Sequence, residues 1–473
     1  MKDIIPKSDI TKICICLVLL KCLVIIFSDC NQSGPNSPFA EYPFQYSLNV
    51  NPDEIDIATI AKNYNDGYGF AANKGYYARK DKQITAWRTS FPIFIHIICQ
   101  RAYTVAYHKN IELTPADPYF KAYAAMIQII SILFFGASVY SFHRIASLFL
   151  QNEKLASLTT IVYGLHPVVL YYVGSMTCYE NIALPIVIIV VGVYYRYINF
   201  QEDPSLRLLI GTCVLASFAT LIRPHTTLIF YGLGGIVILS ALSKRKKIRF
   251  YFSNKVFLYL VIGTWLLMII VQIPIFYKNY ALFGKIFISN QAGFNLLLGH
   301  NEYARGSWLG NSGVGTSWDA YVVRQIPNIA ELNEYQEAQA RKKIALDWIA
   351  TNPTKEIELS LRKIAIFFLP DNYLHPKEVN LAMTFTGLIH ALFFIGLFIY
   401  SYNLIRSRFG YEILTQVMPF LVVIVTLLFS IIFFVDHRWR YYADPFMLLI
   451  AIHTLFIFKA KFLNKEKAKY NSV

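Results

Sequence analysis

Eight charged side chains lie beside long apolar segments of the 473-residue chain. The acids among them are Asp53, Glu54 and Glu180. The bases are Arg88, Arg223, Lys278, Arg438 and Arg440. A carboxylate can take the proton of an attacking hydroxyl group, and cations can stabilise the charge that develops on a phosphate leaving group. One acid with several cations therefore suits transfer of a sugar from a lipid phosphate, in contrast with sugar hydrolysis, which uses paired carboxylates.

The elements that must position these residues are long and apolar. Hydrophobic residues make up 55% of the chain and charged residues only 15%, whereas soluble domains carry roughly 25% charged residues. Blocks of about 20 apolar residues can cross the core of a bilayer. Ten blocks qualify: 10–29, 119–142, 155–174, 178–197, 207–223, 226–242, 256–276, 381–403, 413–434 and 443–459. This pattern predicts an all-α polytopic membrane protein with about ten transmembrane helices.

Two segments need an interpretation of their own. The first apolar block follows three lysines but precedes no small-residue cleavage site, which indicates a retained signal anchor. Lys21 inside it has no assigned role. Phe91–Tyr107 is apolar but short and interrupted by polar residues. We therefore expect it to form an amphipathic juxtamembrane helix rather than an eleventh span.

The distribution of charge predicts the orientation of the spans. Lys and Arg accumulate in short cytoplasmic loops, and most of the formal net charge of +15 lies in the segment 244–255, in the tail and in other short connections. The long loops 31–118 and 277–380 are nearly balanced in charge. Both termini are thus predicted to be cytoplasmic and both long loops outer, and the excess of basic residues gives no reason to expect a nucleic-acid partner.

This topology divides the chain into three parts. They are an N-terminal transmembrane catalytic module, 1–276, which includes the outer loop 31–118; a second outer loop, 277–380; and the C-terminal transmembrane helices with a basic cytoplasmic tail, 381–473.

The segment after the first span permits a structural as well as a functional interpretation. Pro52 followed by acids is typical of a helix start, the apolar residues of 57–64 share one face, and Gly67 is a candidate C-cap. On the structural interpretation, Asp53 and Glu54 only stabilise the start of an amphipathic helix that lies on the membrane. Neighbours on a helix point about 100° apart, so on the functional interpretation one of the two does the chemistry. The outer arginines likewise permit two interpretations, since their side chains could extend to lipid head groups.

Familiar motifs of soluble enzymes are missing from the sequence. It has no GxxxxGK, HExxH or GxSxG segment, and no Cys or His spacing suits zinc. We therefore expect neither a metal nor a cofactor.

An ordered series of short motifs carries a family resemblance. They are Asp53-Glu54 with Ile60–Phe70, Arg88–Pro92, His166–Glu180, Leu221–Pro224, Tyr277–Gly284, Gly293–Asn301 and Arg438–Arg440. In this order they resemble the GT-C superfamily of integral-membrane glycosyltransferases, in particular the dolichyl-phosphate-mannose protein mannosyltransferases and the bacterial aminoarabinose transferase. The sequence departs from that pattern at three positions, with Ser90 in place of Pro, Lys278 in place of Arg and His300 in place of Asn.

The resemblance implies a function and a role for each candidate residue. The function is transfer of a hexose or pentose from a polyprenyl-phosphate donor to a glycan, lipid or protein acceptor, with inversion, at the outer face of a bacterial plasma membrane. Asp53 would be the base, Glu54 would support it and Glu180 would be a second acid near the sugar or the acceptor. The five basic residues would surround the lipid phosphate.

Other functions share many of these features. A transporter, flippase or polysaccharide polymerase also has many spans and a cationic outer surface, but it would place functional charges inside the spans. A non-catalytic scaffold would tolerate alanine at the acid and arginine positions.

Overall fold

The computed structural model describes residues 7–30, 52–73, 82–86, 90–108, 118–166, 169, 180–200, 206–241, 255–307, 317–368, 381–406 and 412–456. In chain order the elements are α1 (Lys7–Cys30), α2 (Pro52–Asn65), β1 (Ala71–Ala72), β2 (Gln83–Ile84), α3 (Ser90–Tyr107), α4 (Pro118–Leu150), α5 (Glu153–Gly164), α6 (Glu180–Phe200), α7 (Leu206–Ile222), α8 (Thr226–Ala241), α9 (Lys255–Ile270), α10 (Ile273–Phe283), α11 (Gln291–Gly299), α12 (Ser317–Gln325), α13 (Glu334–Thr351), α14 (Pro353–Phe368), α15 (Leu381–Arg406), α16 (Glu412–Ile432), α17 (His437–Arg440) and α18 (Asp444–Phe456). Most of the described residues are helical, which confirms the predicted helical class.

Each predicted span coincides with a helix along at least part of its length. Within the described ranges, two helical stretches are long and apolar enough to cross a membrane by length and composition, Met126–Leu150 and Val261–Phe283. Shorter apolar helical stretches of 10–17 residues in the described ranges include Asn181–Tyr195 and Met418–Ile432. The number of spans therefore stays a prediction.

Two helices form the centre of the main hydrophobic core. The segment Ala183–Val191 of α6 is apolar on all sides and almost completely buried, and so is the segment Phe446–Ile450 of α18. A helix that is apolar all round has no face that suits water and lies either in a protein core or in a membrane; here other protein elements cover both segments. Helix α4 packs along α6 and also contacts α1 and α5.

Helix α2 begins and ends as the sequence predicts. It starts at Pro52, and Gly67 follows its C-terminal end with φ +90°, a left-handed conformation that favours glycine. The apolar face also forms, with Ile57 and Ile60 buried, but it belongs to the same core as Ile97 of α3. The interpretation that α2 lies on the membrane by this face is thus wrong, because α3 and other protein elements cover the face.

Helix α3 confirms the helix predicted over Phe91–Tyr107, and its polar side faces the protein. Gln100 is buried and donates from Nε2 to the Ala58 carbonyl of α2 at 2.9 Å. His96 is buried as well, and burial lowers its pKa to about 3, so the ring is neutral. In contrast, Ile98 is 66% exposed and Val105 is 73% exposed. This outward apolar side suits contact with lipid.

A short hairpin follows α2. Strand β1 pairs antiparallel with β2 through Ala71 opposite Ile84 and Ala72 opposite Gln83. The described part of the hairpin ends at Ala86, two residues before Arg88, which lies outside the described ranges.

Candidate functional site

The described residues include the side chains of three candidates: Arg223, Lys278 and Arg440. For the other candidates the backbone alone is described, or nothing. Asp53 and Glu54 lie in the first turn of α2, Glu180 is the first residue of α6 and Arg438 belongs to α17. The side chains of these four residues lie outside the described part of the chain, and so does all of Arg88.

Lys278 of α10 contacts the residues on either side of the β1–β2 hairpin. Its Nζ atom donates to the Thr85 carbonyl at 3.3 Å and lies 5.1 Å from the ring centroid of Phe70. Phe70 ends the motif that starts at Asp53-Glu54, and Thr85 precedes Arg88 by three residues. The structure thus brings one candidate cation next to the C-terminal end of the motif that begins with Asp53-Glu54, and these two acids lie at the opposite end of α2.

The motif around Lys278 owes its shape to Asn279 and Gly284, which follow it in the sequence. Asn279 is completely buried and donates from Nδ2 to the Phe287 carbonyl at 2.7 Å and to the Ile288 carbonyl at 3.3 Å. Gly284 ends α10 with φ +67°, where a side chain would be strained. Together they turn the chain after α10 and fix the helix from which Lys278 extends.

Glu334 lies at the same place, and sequence reasoning missed it. Its carboxylate accepts from Thr85 Oγ1 at 3.0 Å, from the Ala86 amide at 3.1 Å and from Asn290 Nδ2 at 3.0 Å. Burial raises the pKa of Glu334, and the hydrogen bonds from Asn290, Thr85 and Ala86 and the charge of Lys278 only partly oppose this. Glu334 therefore connects the start of α13 to the residues that follow β2 and to Asn290 through a half-buried carboxyl group.

The start of α13 explains the position of Glu334. Asn333 caps this helix by accepting from the Gln336 amide at 2.9 Å, and the Gln336 side chain accepts from the Asn333 amide at 2.9 Å. This capping box fixes the first turn, and an acid there also interacts favourably with the helix dipole. The pattern Asn333-Glu334-Tyr335-Gln336 could have indicated the helix start, but it says nothing about Thr85 or Ala86.

The Leu221–Pro224 motif lies next to the Arg438–Arg440 motif. Two residues after Arg223, the ring of His225 lies 4.7 Å from the ring of Tyr442 and 4.8 Å from that of Phe429. Arg223 itself is half-buried at the end of α7. His225 directly follows the first motif and Tyr442 lies two residues after the second, so the chain segments next to these distant motifs meet through an aromatic contact.

Arg440 forms an ion pair within the core. Its Nε atom lies 3.3 Å from Oδ1 of Asp444, and the two residues are 2% and 3% exposed. The Nη1 atom donates to the Phe367 carbonyl at 3.4 Å, and His390 Nε2 lies 4.0 Å from Asp444 Oδ1. A buried charge needs a partner, and Asp444, which sequence reasoning did not single out, supplies it for Arg440.

A second buried cluster of charged groups joins α11, α14 and α16. His300 Nδ1 lies 2.8 Å from Glu356 Oε2, and Lys363 Nζ lies 3.0 Å from His300 Nε2. Burial lowers the pKa of Lys363 to about 8, although the charge of Glu356 opposes the change. Burial alone would raise the pKa of Glu356, but the hydrogen bond and charge of His300 and the charge of Lys363 bring it below its ordinary value. The sequence signalled this cluster only through His300, where the chain departs from the family pattern.

Trp439 fixes the short helix that carries Arg438 and Arg440. Its ring lies 4.4 Å from that of Phe434 and 4.9 Å from that of Phe429. It shares a core with Phe294 of α11. The tryptophan of this motif is therefore a packing residue that attaches α17 to α11.

Within the described ranges, no group of three or more His, Cys, Asp and Glu side chains is arranged to hold a metal ion. No protein-family model matches the chain, and no curated protein matches it. The resemblance to the GT-C superfamily therefore rests on the order of the sequence motifs alone.

Proposed function

We propose that the chain is an integral-membrane glycosyltransferase that moves a sugar from a polyprenyl-phosphate donor to an acceptor at the outer face of the membrane. The observation that supports this most is the contact of Lys278 with Thr85 and Phe70. This contact supports the proposal because it joins one candidate cation to Phe70, the last residue of the motif that begins with Asp53, and to Thr85, three residues before Arg88.

In the proposed reaction, the Asp53 carboxylate takes the proton of an acceptor hydroxyl group, and the hydroxyl oxygen attacks the anomeric carbon of the sugar. The bond between that carbon and the phosphate oxygen breaks, the polyprenyl phosphate leaves with the electron pair, and the configuration at the carbon inverts. Glu54 supports the base, and Glu180 contacts the sugar or the acceptor. Because the phosphate is already a good leaving group, cations that stabilise its charge suffice and no acid is needed.

The cations proposed for the phosphate are Arg88, Arg223, Lys278, Arg438 and Arg440. The planar guanidinium group suits bidentate binding of phosphate, whereas Lys278 supplies a point charge. Geometry supports Arg440 least among the described members of this set, because Asp444 already compensates its charge.

The proposal includes the ten-span topology, with both termini cytoplasmic and the loops 31–118 and 277–380 outside. Reporter fusions test it. A reporter that works only in the cytoplasm should be active when it is fused within the basic segment 244–255. A reporter that works only outside the cytoplasm should be active when it is fused at 328–332. The opposite result at either position would reject this orientation.

The test of the function is the substitution Asp53→Asn. Mass spectrometry of glycans and lipids from cells with and without the gene first identifies the transferred sugar. Transfer of that sugar from its polyprenyl-phosphate donor is then measured in membranes from a host that lacks the enzyme. Loss of a general base costs about 100-fold or more, and Asp56→Asn on the same helix is the matched control. Full activity of the Asp53 variant would reject the assignment.

A transporter or flippase is the second candidate, because charge is buried inside a predicted span. Lys21 of α1 is 2% exposed, and its Nζ atom lies 4.2 Å from the ring centroid of Phe135. A transporter would lose export of a lipid-linked glycan on Lys21→Met and keep it on Asp53→Asn. The glycosyltransferase predicts the larger loss for Asp53→Asn.

A further inference from the structure

Thr85 is held by the second outer loop at two of its atoms. Its hydroxyl group donates to Glu334 Oε2 at 3.0 Å, and its carbonyl accepts from Lys278 Nζ at 3.3 Å. The side chains of Glu334 and Lys278 thus contact a single residue of the first outer loop. A movement of Thr85 would change the contacts of both.

The neighbouring residue Ala86 closes this arrangement. Its amide donates to Glu334 Oε1 at 3.1 Å, its carbonyl accepts from the Asn290 amide at 3.4 Å, and Asn290 Nδ2 donates to Glu334 Oε1 at 3.0 Å. Hydrogen bonds to an ionised carboxylate are stronger than those between neutral groups. Glu334 is therefore the acceptor through which Thr85, Ala86 and Asn290 are held together.

The orientation of Lys278 depends on this arrangement. Its long side chain has many rotamers, and ordering it costs conformational entropy. The Thr85 carbonyl and the Phe70 ring restrict the ammonium group. An ammonium group that is already ordered binds an anion more tightly than one that must first be ordered.

We propose that Glu334 is a positioning residue for the lipid phosphate: by holding Thr85 and Ala86, it fixes the carbonyl that orients Lys278 toward the donor. This inference rests on the proposed function. It assigns to Glu334 no contact with the substrate. Its action on the phosphate passes through Thr85 and Lys278.

The experiment compares two ligands of the purified full-length chain in detergent. The probes are geranylgeranyl phosphate and geranylgeraniol, which share the isoprenoid chain and differ only in the phosphate. The Kd of each is measured by the change in tryptophan fluorescence. We expect Glu334→Gln to weaken binding of the phosphate about tenfold and to leave binding of the alcohol unchanged. The control Glu337→Gln alters an acid of the same helix whose carboxylate accepts from Arg341 Nε at 3.1 Å.

A double-mutant cycle separates positioning from general structural support. If Glu334 acts through Lys278, then Glu334→Gln should change the Kd for the phosphate less than about twofold in a Lys278→Met background. Additive effects, an equal loss for both ligands or an unchanged Kd would overturn the inference. If Glu334→Gln prevents folding, Thr85→Val removes only the hydroxyl contact and should weaken phosphate binding without changing alcohol binding.

Failure of the proposed function gives a different result. If the unmodified chain binds geranylgeranyl phosphate no more tightly than geranylgeraniol, the proposed donor is wrong, and the proposed role of Glu334 is then wrong as well. If the unmodified chain prefers the phosphate and Glu334→Gln keeps that preference, only the inference about Glu334 fails.

Discussion

The Nζ atom of Lys363 lies 3.0 Å from Nε2 of His300, and each of the two groups also reaches a backbone carbonyl at the end of α16. Lys363 donates to the Ile431 carbonyl at 2.9 Å, and His300 Nε2 lies 2.7 Å from the Ile432 carbonyl. The last four carbonyls of a helix have no partner within it, so these side chains satisfy groups that would otherwise be unpaired. One ring nitrogen cannot donate to Ile432 and accept from Lys363 at once, so the position of the proton decides which bond forms.

The burial of Lys363 predicts a particular dependence of stability on pH. Its pKa is lowered from 10.5 to about 8 in the folded chain. Between these values the unfolded state binds more protons than the folded state, so this residue makes the free energy of unfolding rise with pH. Relative to Lys363→Met, the unmodified chain should gain up to about 3 kcal/mol as the pH rises from 7.5 to 10.5. The measurement is the midpoint of thermal unfolding in detergent at a series of pH values.

Lys355 provides the matched control for this prediction. It is exposed on the same helix, α14. Lys355→Met should therefore leave the pH dependence of the unmodified chain in place. A difference between the unmodified chain and Lys363→Met that stays constant from pH 7.5 to 10.5 would contradict the prediction.

Gly299 makes a close backbone approach at the same end of α16. A Cβ atom there would lie 1.7 Å from the Phe433 carbonyl oxygen, which is part of the backbone and cannot give way easily. Gly299→Ala should therefore lower the free energy of unfolding by about 1–3 kcal/mol or more. The midpoint of thermal unfolding reports the change.

Gly211 in α7 is the opposite case. No atom lies within 4 Å of a Cβ added at this glycine. Alanine in a helix interior is favoured over glycine by about 0.5–1 kcal/mol, so Gly211→Ala should leave stability unchanged or raise it. Equal destabilisation by Gly211→Ala and Gly299→Ala would mean that the contact with Phe433 does not determine the effect.

Local patterns in the sequence predicted the elements well. The start of α2 at Pro52, its end near Gly67 and the helix over Phe91–Tyr107 all follow from capping residues and from the spacing of apolar positions. What the sequence did not predict was which face of each helix is covered. The apolar face of α2 was expected on the membrane, but it packs in the protein core together with α3.

The partners of the charged residues were the hardest feature to predict. Thr85 and Glu334 are 249 residues apart, and neither belongs to a sequence motif that indicates a contact with the other. Asp444 had the sequence pattern of an ordinary acid at the start of a span. Such pairs depend on how helices pack, and periodicity within one helix contains no information about it. The two glycines of the Gly293–Asn301 motif show the same limit, since Gly293 allows the Ala338 carbonyl to approach and Gly299 that of Phe433.

The buried pair of Arg440 and Asp444 leads to the last prediction. Removing one partner of a buried ion pair leaves an uncompensated charge and costs about 3–5 kcal/mol, whereas replacing both by apolar residues is often neutral. Arg440→Met and Asp444→Leu should each destabilise the chain strongly, and the double variant should recover most of the loss in thermal unfolding. Because Arg440 is also one of the cations proposed for the phosphate, sugar transfer by the double variant should stay below that of the unmodified chain even where stability recovers. Full recovery of sugar transfer in a stable double variant would instead show that Arg440 only pairs with Asp444 in the core and does not act on the phosphate.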